Sequence, residues 1–279
     1  MDAVNLGRQN YPAKKRSRHI PSVVQPDTLF HFVSKREYLM GMLKSKRIAP
    51  RYCCENFRYL NVRTVKELAF PMSCFCDIGL QKLEPHMNCY GSFGIALPKE
   101  WCMQKGFQAV QYLNHEGALA SDTKTAIRTA MATLNRESST KPEEVLTNYL
   151  LHQLMYLKPY QGRTRFRVDG RTHDKCFADE CEWRYIPDLS ATDLPAAVVN
   201  QWQIDNYLLS YSAALIKCEK TLVEYEYNDL KYVMVDNADS FSFLLKEVEN
   251  WRDEEQINTR EMNVLLSKVV VWDEIKGDF

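Results

Sequence analysis

The acidic segment Asp179–Tyr185 holds the residues whose types and spacing best fit a chemical site. If the segment is a strand, its side chains alternate between two faces. Glu180, Glu182 and Arg184 then lie on a polar face, and Cys181, Trp183 and Tyr185 lie on a mostly aromatic face. Two carboxylates about 7 Å apart along a strand can share a site, one orienting a substrate hydroxyl and the other stabilising positive charge. The aromatic face is then expected to point into the core. The alternative is a solvent-facing strand whose Glu and Arg side chains pair with neighbours.

The elements that must position this segment begin with a short strand at 28–33, followed by a helix. Ser34 and Glu37 have the spacing of a capping box at the start of that helix. The apolar run at 68–76 predicts a buried strand, 77–80 ends it, and a helix then continues through His86.

Glycine-rich residues 90–98 predict a further strand, with glycines where the backbone turns tightly or approaches a neighbour. From 122 to 157 the pattern becomes helical, which predicts a helical insertion at about 118–160 that could lie over a cleft. The last third predicts a sequence of helices and short strands, at 194–218, 222–227, 231–235, 240–251 and 268–272. We expect an α+β fold, with residues 28–279 as one domain.

Composition limits the classes of function that the chain can have. Lys plus Arg and Asp plus Glu number 36 each in 279 residues, so no overall field draws the chain to nucleic acid or an anionic membrane. The amino terminus lacks a secretory signal and no stretch reaches the roughly 20 apolar residues of a membrane span, so we expect a cytoplasmic protein. Residues 1–27 contain the run Lys14–Arg18 and three prolines, which predicts a flexible basic arm. Such an arm is a solvated tail or a nucleic-acid contact.

Other candidate sites have weaker support in the sequence. Nine cysteines lack the paired knuckles of a structural zinc site, so we expect reduced, buried thiols and no metal. A thiol enzyme built on Cys74 or Cys76 with His86 is a further alternative. The segment 163–171 has an Asp-Gly turn signal and predicts a hairpin, whose arginines either bind phosphate or RNA or face solvent, namely Arg163, Arg165, Arg167 and Arg171. Walker, dinucleotide-glycine and His-Glu-x-x-His motifs are missing from the sequence.

An ordered set of motifs resembles the abortive-infection AbiGi family, bacterial phage-resistance proteins described as the antitoxin partner of a two-gene system. The motifs run from Leu29 to the last strand and leave the basic arm outside. They are Leu29-Phe30-His31-Phe32, Phe70-Pro71-Met72-Ser73-Cys74-Phe75-Cys76-Asp77, His86 with Tyr90, Gly91 and Gly94, Lys158-Pro159-Tyr160, and Asp179-Glu180-Cys181-Glu182-Trp183-Arg184. This resemblance implies a role in phage defence, with a cognate toxin or a phage product as the partner.

A more distant resemblance is to the ADP-ribosyltransferase superfamily, including the DarT toxins and the RNA 2′-phosphotransferases. It rests on an aromatic-His-aromatic first strand and a late Glu-x-Glu strand. It implies an ADP-ribosyltransferase-like mixed sheet with NAD as cofactor and a nucleic acid or protein as acceptor. It assigns roles as follows: His31 to the nucleotide, Ser73 or Tyr90 to the nicotinamide pocket, Glu182 to the developing cation, and Glu180 to the acceptor, with Arg184 beside them at the cofactor.

This mapping has gaps, because Ser73 is followed by Cys74 and Phe75 rather than by Thr-Ser. The alternative for His31 is that it packs in the core and contacts no ligand. Two classes of function therefore stay open. One is an NAD-using transferase or glycohydrolase that acts during infection, which the acidic pair favours. The other is a noncatalytic antitoxin or regulatory binding module.

Overall fold

The structure, a computed structural model, describes residues 20–62, 65–134, 140–166 and 169–278. Most of the predicted basic arm, residues 1–19, lies outside the described residues, as does Arg167. The strands are β1 (Thr28–Val33), β2 (Arg47–Ile48), β3 (Arg51–Asn56), β4 (Glu67–Cys76), β5 (Phe93–Pro98), β6 (Gln108–Ala109), β7 (Gln111–Leu113), β8 (Leu157–Pro159), β9 (Gln161–Arg165), β10 (Thr172–Cys176), β11 (Glu182–Tyr185), β12 (Val223–Glu224), β13 (Tyr232–Val235) and β14 (Val269–Val271). The helices are α1 (Arg36–Ser45), α2 (Glu84–Tyr90), α3 (Lys99–Gln104), α4 (Ala118–Leu134), α5 (Lys141–Leu154), α6 (Gln201–Lys217), α7 (Ala238–Asp253), α8 (Thr259–Leu266) and α9 (Trp272–Ile275).

One mixed sheet organises the chain, with the strand order β14-β13-β5-β1-β4-β11-β6 and β3 paired to β4. The β13–β14 pair is parallel and the other pairs in this sheet are antiparallel. Among the described residues, no helix combines the length and apolar character that crossing a bilayer requires. The combination of this mixed sheet with the helices confirms the predicted α+β class.

Strand β4 is the central element of this sheet. Nearly all of its side chains are buried because its sequence, ELAFPMSCFC, is apolar on both faces. Its first part pairs with β3, from Glu67 opposite Asn56 to Met72 opposite Arg51. Its last part pairs with β11, where Cys76 lies opposite Glu182. One part of β4 is therefore paired with β3, and the other part is paired with β11.

Helices cover both faces of the sheet. On one face α1, α7 and α8 bury their apolar stripes against β1, β5 and β13, through residues such as Leu39, Leu244 and Leu265. On the other face, α2 packs at one end and the α4–α5 pair packs over β3 and β4 at the other, through Met87, Ile127 and Leu151. The acidic strand β11 lies beside both the residues packed against α2 and those packed against the α4–α5 pair.

Several local predictions are confirmed and others are wrong. The first strand has the predicted bounds, the helices at 122–157 are present as α4 and α5, and the hairpin around the Asp-Gly turn is present as β9 and β10. The Ser34 capping box is wrong, because α1 begins after Lys35 and its first turn has no side-chain cap. A capping box does occur at α5, between Thr140 and Glu143. The helix expected to run through His86 begins only at Glu84 and continues to Tyr90.

Candidate functional site

The acidic segment is not the continuous strand that its alternation predicts. Residues Phe177–Glu180 form a 3-10 turn, Cys181 adopts a left-handed conformation with φ of 42°, and β11 begins only at Glu182. Both faces of β11 are covered, because Glu182 and Arg184 are buried on one face and Trp183 and Tyr185 are half-buried on the other. The prediction that the aromatic face packs on the core is confirmed, because Trp183 and Tyr185 pack against the core cluster that contains Phe107. The solvent-facing alternative is wrong, because the charged face is buried as well.

Glu182 is held by two cations inside the protein. Its Oε1 accepts a hydrogen bond from Arg184 Nε at 2.7 Å, and its Oε2 accepts one from Lys158 Nζ at 2.7 Å. Its backbone N–H donates to the Tyr112 hydroxyl at 2.7 Å. Burial alone would raise the pKa of Glu182, but Arg184 and Lys158 outweigh burial and hold that pKa well below its usual value. The carboxylate is therefore charged, and both of its oxygens are engaged.

Glu180 approaches the same lysine from the neighbouring turn. Lys158 Nζ lies 2.5 Å from Glu180 Oε2, and Lys175 Nζ lies 2.8 Å from Oε1. The Tyr90 hydroxyl donates to Oε1 as well. Burial opposes ionisation, yet the charge of Lys158 lowers the pKa of Glu180 overall. Both predicted catalytic carboxylates therefore meet on one ammonium group.

Arg184 joins the carboxylates to the carboxyl end of α5. Its side chain is fully buried, with 0% exposure. Its Nη1 donates to the Met155 carbonyl oxygen at 2.7 Å, at the carboxyl end of α5, and its Nη2 donates to Glu55 Oε1 at 2.9 Å. A cation at this end of a helix satisfies an orphan carbonyl group and complements the helix dipole. Burial raises the pKa of Glu55, and the charge of Arg184 opposes that rise.

We call this set of side chains the acid-base network; its members are Glu55, Glu180, Glu182, Lys158, Lys175 and Arg184. The three acids and three bases balance, so the network carries no net charge when all six are ionised. Buried ion pairs are tolerated when each charge is matched and hydrogen-bonded, and removing one partner is strongly destabilising. The network joins β3, β11, β8 and β10 and thereby ties the sheet to the insertion.

Aromatic rings cover one side of the network. Lys175 Nζ lies 4.5 Å from the centroid of the Tyr90 ring, a cation–π contact, and the His86 ring centroid lies 4.6 Å from that of Tyr90. Burial lowers the pKa of His86 to about 4, so its imidazole is neutral at pH 7. This is the arrangement of a packed residue rather than of a proton-transfer group poised near neutrality.

His31 and Ser73 lie on the other face of the sheet. Phe30, Cys76 and Glu182 are register partners across β1, β4 and β11, so these three side chains share one face and His31 points to the opposite one. The His31 ring accordingly lies 5.0 Å from Phe75, and its Nδ1 is 2.7 Å from the Cys74 carbonyl oxygen. The predicted cleft between His31 and Glu182 is therefore wrong, because neighbouring positions of one strand alternate between faces.

Ser73 is likewise separated from the acid-base network. It lies opposite Tyr185 in the register of β4 and β11, is buried, and has no hydrogen-bond partner for its hydroxyl among the described residues. Of the predicted site residues, the structure brings together Glu180, Glu182, Arg184 and Tyr90. It does not bring His31 or Ser73 to them.

Two cavities among the described residues lie away from the carboxylates. One, of about 40 Å³, lies between the end of α5 and the 186–196 loop, and a second, of about 20 Å³, lies between β4 and the α4–α5 pair. Sites for cofactors usually offer roughly 300–1,000 Å³. Neither cavity is lined by Glu180 or Glu182.

The cysteine alternatives gain no support from their surroundings. A hydrogen bond with Cys53 and burial raise the pKa of Cys74, and burial raises that of Cys76, whereas a nucleophilic thiol needs a lowered pKa. In the described ranges, no three His, Cys, Asp or Glu side chains are grouped closely enough to hold a metal ion.

Sequence reasoning missed three members of the network: Glu55, Lys158 and Lys175. Only Lys158 had a signal, since it belongs to one of the motifs that carry the family resemblance. Glu55 and Lys175 lie at alternating positions in β3 and β10 that read as ordinary solvent-facing charges. Both are half-buried because of contacts with distant elements, which no local pattern encodes.

The comparisons with known proteins cover most of the chain. The model of the family described as "Putative abortive phage resistance protein AbiGi, antitoxin" matches residues 46–236. A relative from Lactococcus lactis subsp. cremoris, "Abortive phage resistance protein AbiGi", is 31% identical over an alignment of 245 residues, and the match covers 82% of this chain and 98% of the relative. No solved structure gives a significant match. The motifs that converge on the acid-base network are thus found in a chain that belongs to the AbiGi family of abortive phage resistance proteins.

Proposed function

We propose that this chain acts in abortive infection as a noncatalytic, antitoxin-type binding module that restrains the product of a partner gene. The family membership supports the defence role, and the family description supports the antitoxin role. The observation that carries the noncatalytic part is the closure of the acid-base network. Both oxygens of Glu182 and both of Glu180 are bound by protein cations or Tyr90.

A catalytic carboxylate must present an oxygen to the group on which charge develops. Here the electrostatic field that could stabilise a ribosyl cation is already neutralised by Lys158 and Arg184, whose Nζ and Nε atoms lie 2.7 Å from Glu182 oxygens. A cation bound to that face would have to displace a lysine or an arginine from a buried ion pair. We therefore assign Glu180 and Glu182 a structural role, which is to hold the insertion on the sheet.

A second candidate function is an ADP-ribosyltransferase-like, NAD-using effector. The convergence of Glu180, Glu182, Tyr90 and Arg184 favours it, because these are four of the residues that the distant resemblance assigned to one site. The position of His31 does not favour this function, because His31 lies on the face of the sheet opposite to Glu182 and cannot contact a nucleotide bound there. Use of NAD in this scheme requires the network to open, with Lys158 leaving one carboxylate.

The test is expression of the chain with and without the product of its neighbouring reading frame. An antitoxin-type module is harmless alone, and it restores growth to cells in which the neighbouring product is induced. The two proteins should also co-purify. Matched cultures receive the chain with Leu39→Asp, which places a charge in the core and serves as an unfolded control.

Two results would contradict this proposal. One is growth arrest or loss of cellular NAD on expression of the chain alone. The other is a neighbouring product that is harmless without the chain.

A further inference from the structure

Helix α6 presents a second apolar surface that points away from the core. Its inward residues, such as Ile204 and Leu215, are buried against β3 and β4. Its outward residues include Trp202, Leu209 and Ile216, which are 61%, 87% and 57% exposed within the part of the chain that the structure describes. A surface helix normally turns polar residues outward, and a contiguous exposed apolar patch of large side chains marks an interaction site.

The outward residues have the spacing of a coiled coil. Trp202, Asn206, Leu209, Ala213 and Ile216 follow one another at intervals of four, three, four and three residues, and all five are exposed. The large side chains occupy one heptad position and Asn206 and Ala213 the other. An Asn in a coiled-coil stripe specifies register and partner number at a cost in stability. We call these five residues the α6 stripe.

We propose that the α6 stripe pairs with the α6 stripe of a second copy of this chain, in antiparallel orientation about Leu209. The stripe is self-complementary in this orientation, because Trp202 and Ile216 lie seven residues on either side of Leu209. A two-fold axis at Leu209 therefore sets Trp202 of each copy beside Ile216 of the other. Isologous contacts of this kind require one surface that matches itself.

The charges of α6 favour the same partner and direction. The helix has one acidic residue, Asp205, in its first half, and one basic residue, Lys217, at its carboxyl end. Antiparallel pairing brings the acidic half of one helix beside the basic half of the other and opposes their dipoles. Parallel pairing would set like charges level with each other. The chain has a formal net charge of zero, so two copies do not repel each other.

The first test is the mass of the purified full chain, by light scattering and sedimentation over a hundredfold range of concentration. The chain is expected to be a dimer at micromolar concentration. Leu209→Lys should weaken the dimer by at least about tenfold. It should leave the melting temperature unchanged at dilutions where both proteins are monomers, since the side chain is 87% exposed in the single chain. Leu146→Lys on α5, where Leu146 is 58% exposed, is the matched control and should stay dimeric.

Cysteine cross-linking tests the orientation. Chains with Trp202→Cys and chains with Ile216→Cys are purified separately, mixed, and oxidised mildly, with the natural chain as the background control. Antiparallel pairing predicts cross-links in the mixture that neither variant forms alone. A monomer at every concentration, a Leu209→Lys protein as dimeric as the natural chain, or cross-links between Trp202→Cys chains alone would overturn the proposal. A monomer that still neutralises the neighbouring product would overturn only this inference and leave the proposed function intact.

Discussion

Arg184→Met is expected to lower the free energy of unfolding by about 3–5 kcal/mol, which corresponds to a fall in melting temperature of about 10 °C for a chain of this size. Methionine fills much of the arginine volume, so the loss comes chiefly from charge. The change leaves the buried Glu182 and the half-buried Glu55 with one cation fewer, and it leaves the Met155 carbonyl without its donor. Chemical denaturation and thermal melting measure both quantities.

Two further variants make this prediction specific. Arg163→Met removes an arginine whose side chain is 72% exposed and 3.5 Å from Asp174, and it should change stability by less than about 1 kcal/mol. Arg184→Lys keeps the charge but loses the fork that reaches Glu182, Met155 and Glu55 together, so its stability should lie between those of the natural chain and Arg184→Met. If Arg184→Met and Arg163→Met melt at the same temperature, the network does not hold the fold together.

Gly91→Ala is expected to lower the free energy of unfolding by about 4 kcal/mol or more, or to prevent folding. Gly91 ends α2 with φ of 118°, a conformation that L side chains rarely adopt. A β-carbon there would lie 2.3 Å from the Val33 carbonyl oxygen and 2.5 Å from the Ser34 α-carbon, which are backbone atoms that cannot rotate away. The soluble yield and the denaturation midpoint report the effect.

Gly41→Ala is the matched control for Gly91→Ala. Gly41 lies inside α1, and a β-carbon there would have no heavy atom within 4 Å. Alanine should therefore stabilise the protein by about 0.5–1 kcal/mol, because it loses less conformational freedom in a helix. Equal stabilities for the two alanine variants would show that α2 and β1 are not packed as closely as described.

The elements of this fold could be predicted where a strong period runs through a whole segment. Alternation predicts the strand at 28–33, and continuous apolar character predicts the buried strand β4. The α4–α5 pair was found from its helical period. Helix α8 was missed; it is short, at Thr259–Leu266, and it packs against α7 after a tight connection.

The acidic segment shows where local pattern stops being informative. The sequence predicts alternation from residue 179, but Cys181 takes a left-handed conformation, which sequence gives no reason to expect of a cysteine. Glu180 and Glu182 therefore reach Lys158 from a turn and a strand rather than from one strand face. The burial of the charged face was also not predictable, because it depends on partners from distant elements, such as Lys158 and Glu55.

The distant superfamily resemblance is not confirmed, and only part of the site that it predicts comes together, for a related reason. Motifs give the order of residues along the chain, whereas a site depends on which face of each strand they occupy. Four of the predicted residues converge, and His31 does not, because it alternates with Phe30, the register partner of Cys76. The AbiGi resemblance did not depend on such geometry, and it is confirmed.

The central claim is that Glu182 has a structural role and not a catalytic one. The most direct test is to measure phage protection by the Glu182→Gln variant, in cells with the neighbouring gene, as a function of the amount of folded protein. Gln keeps the shape of the side chain but removes the charge that Arg184 and Lys158 share. A structural network predicts lower stability, with protection that falls in proportion to folded protein and returns when growth at lower temperature restores folding. The contrary result has two parts. The natural chain consumes NAD, and the Glu182→Gln protein folds to the natural level and melts normally, yet neither consumes NAD nor gives protection.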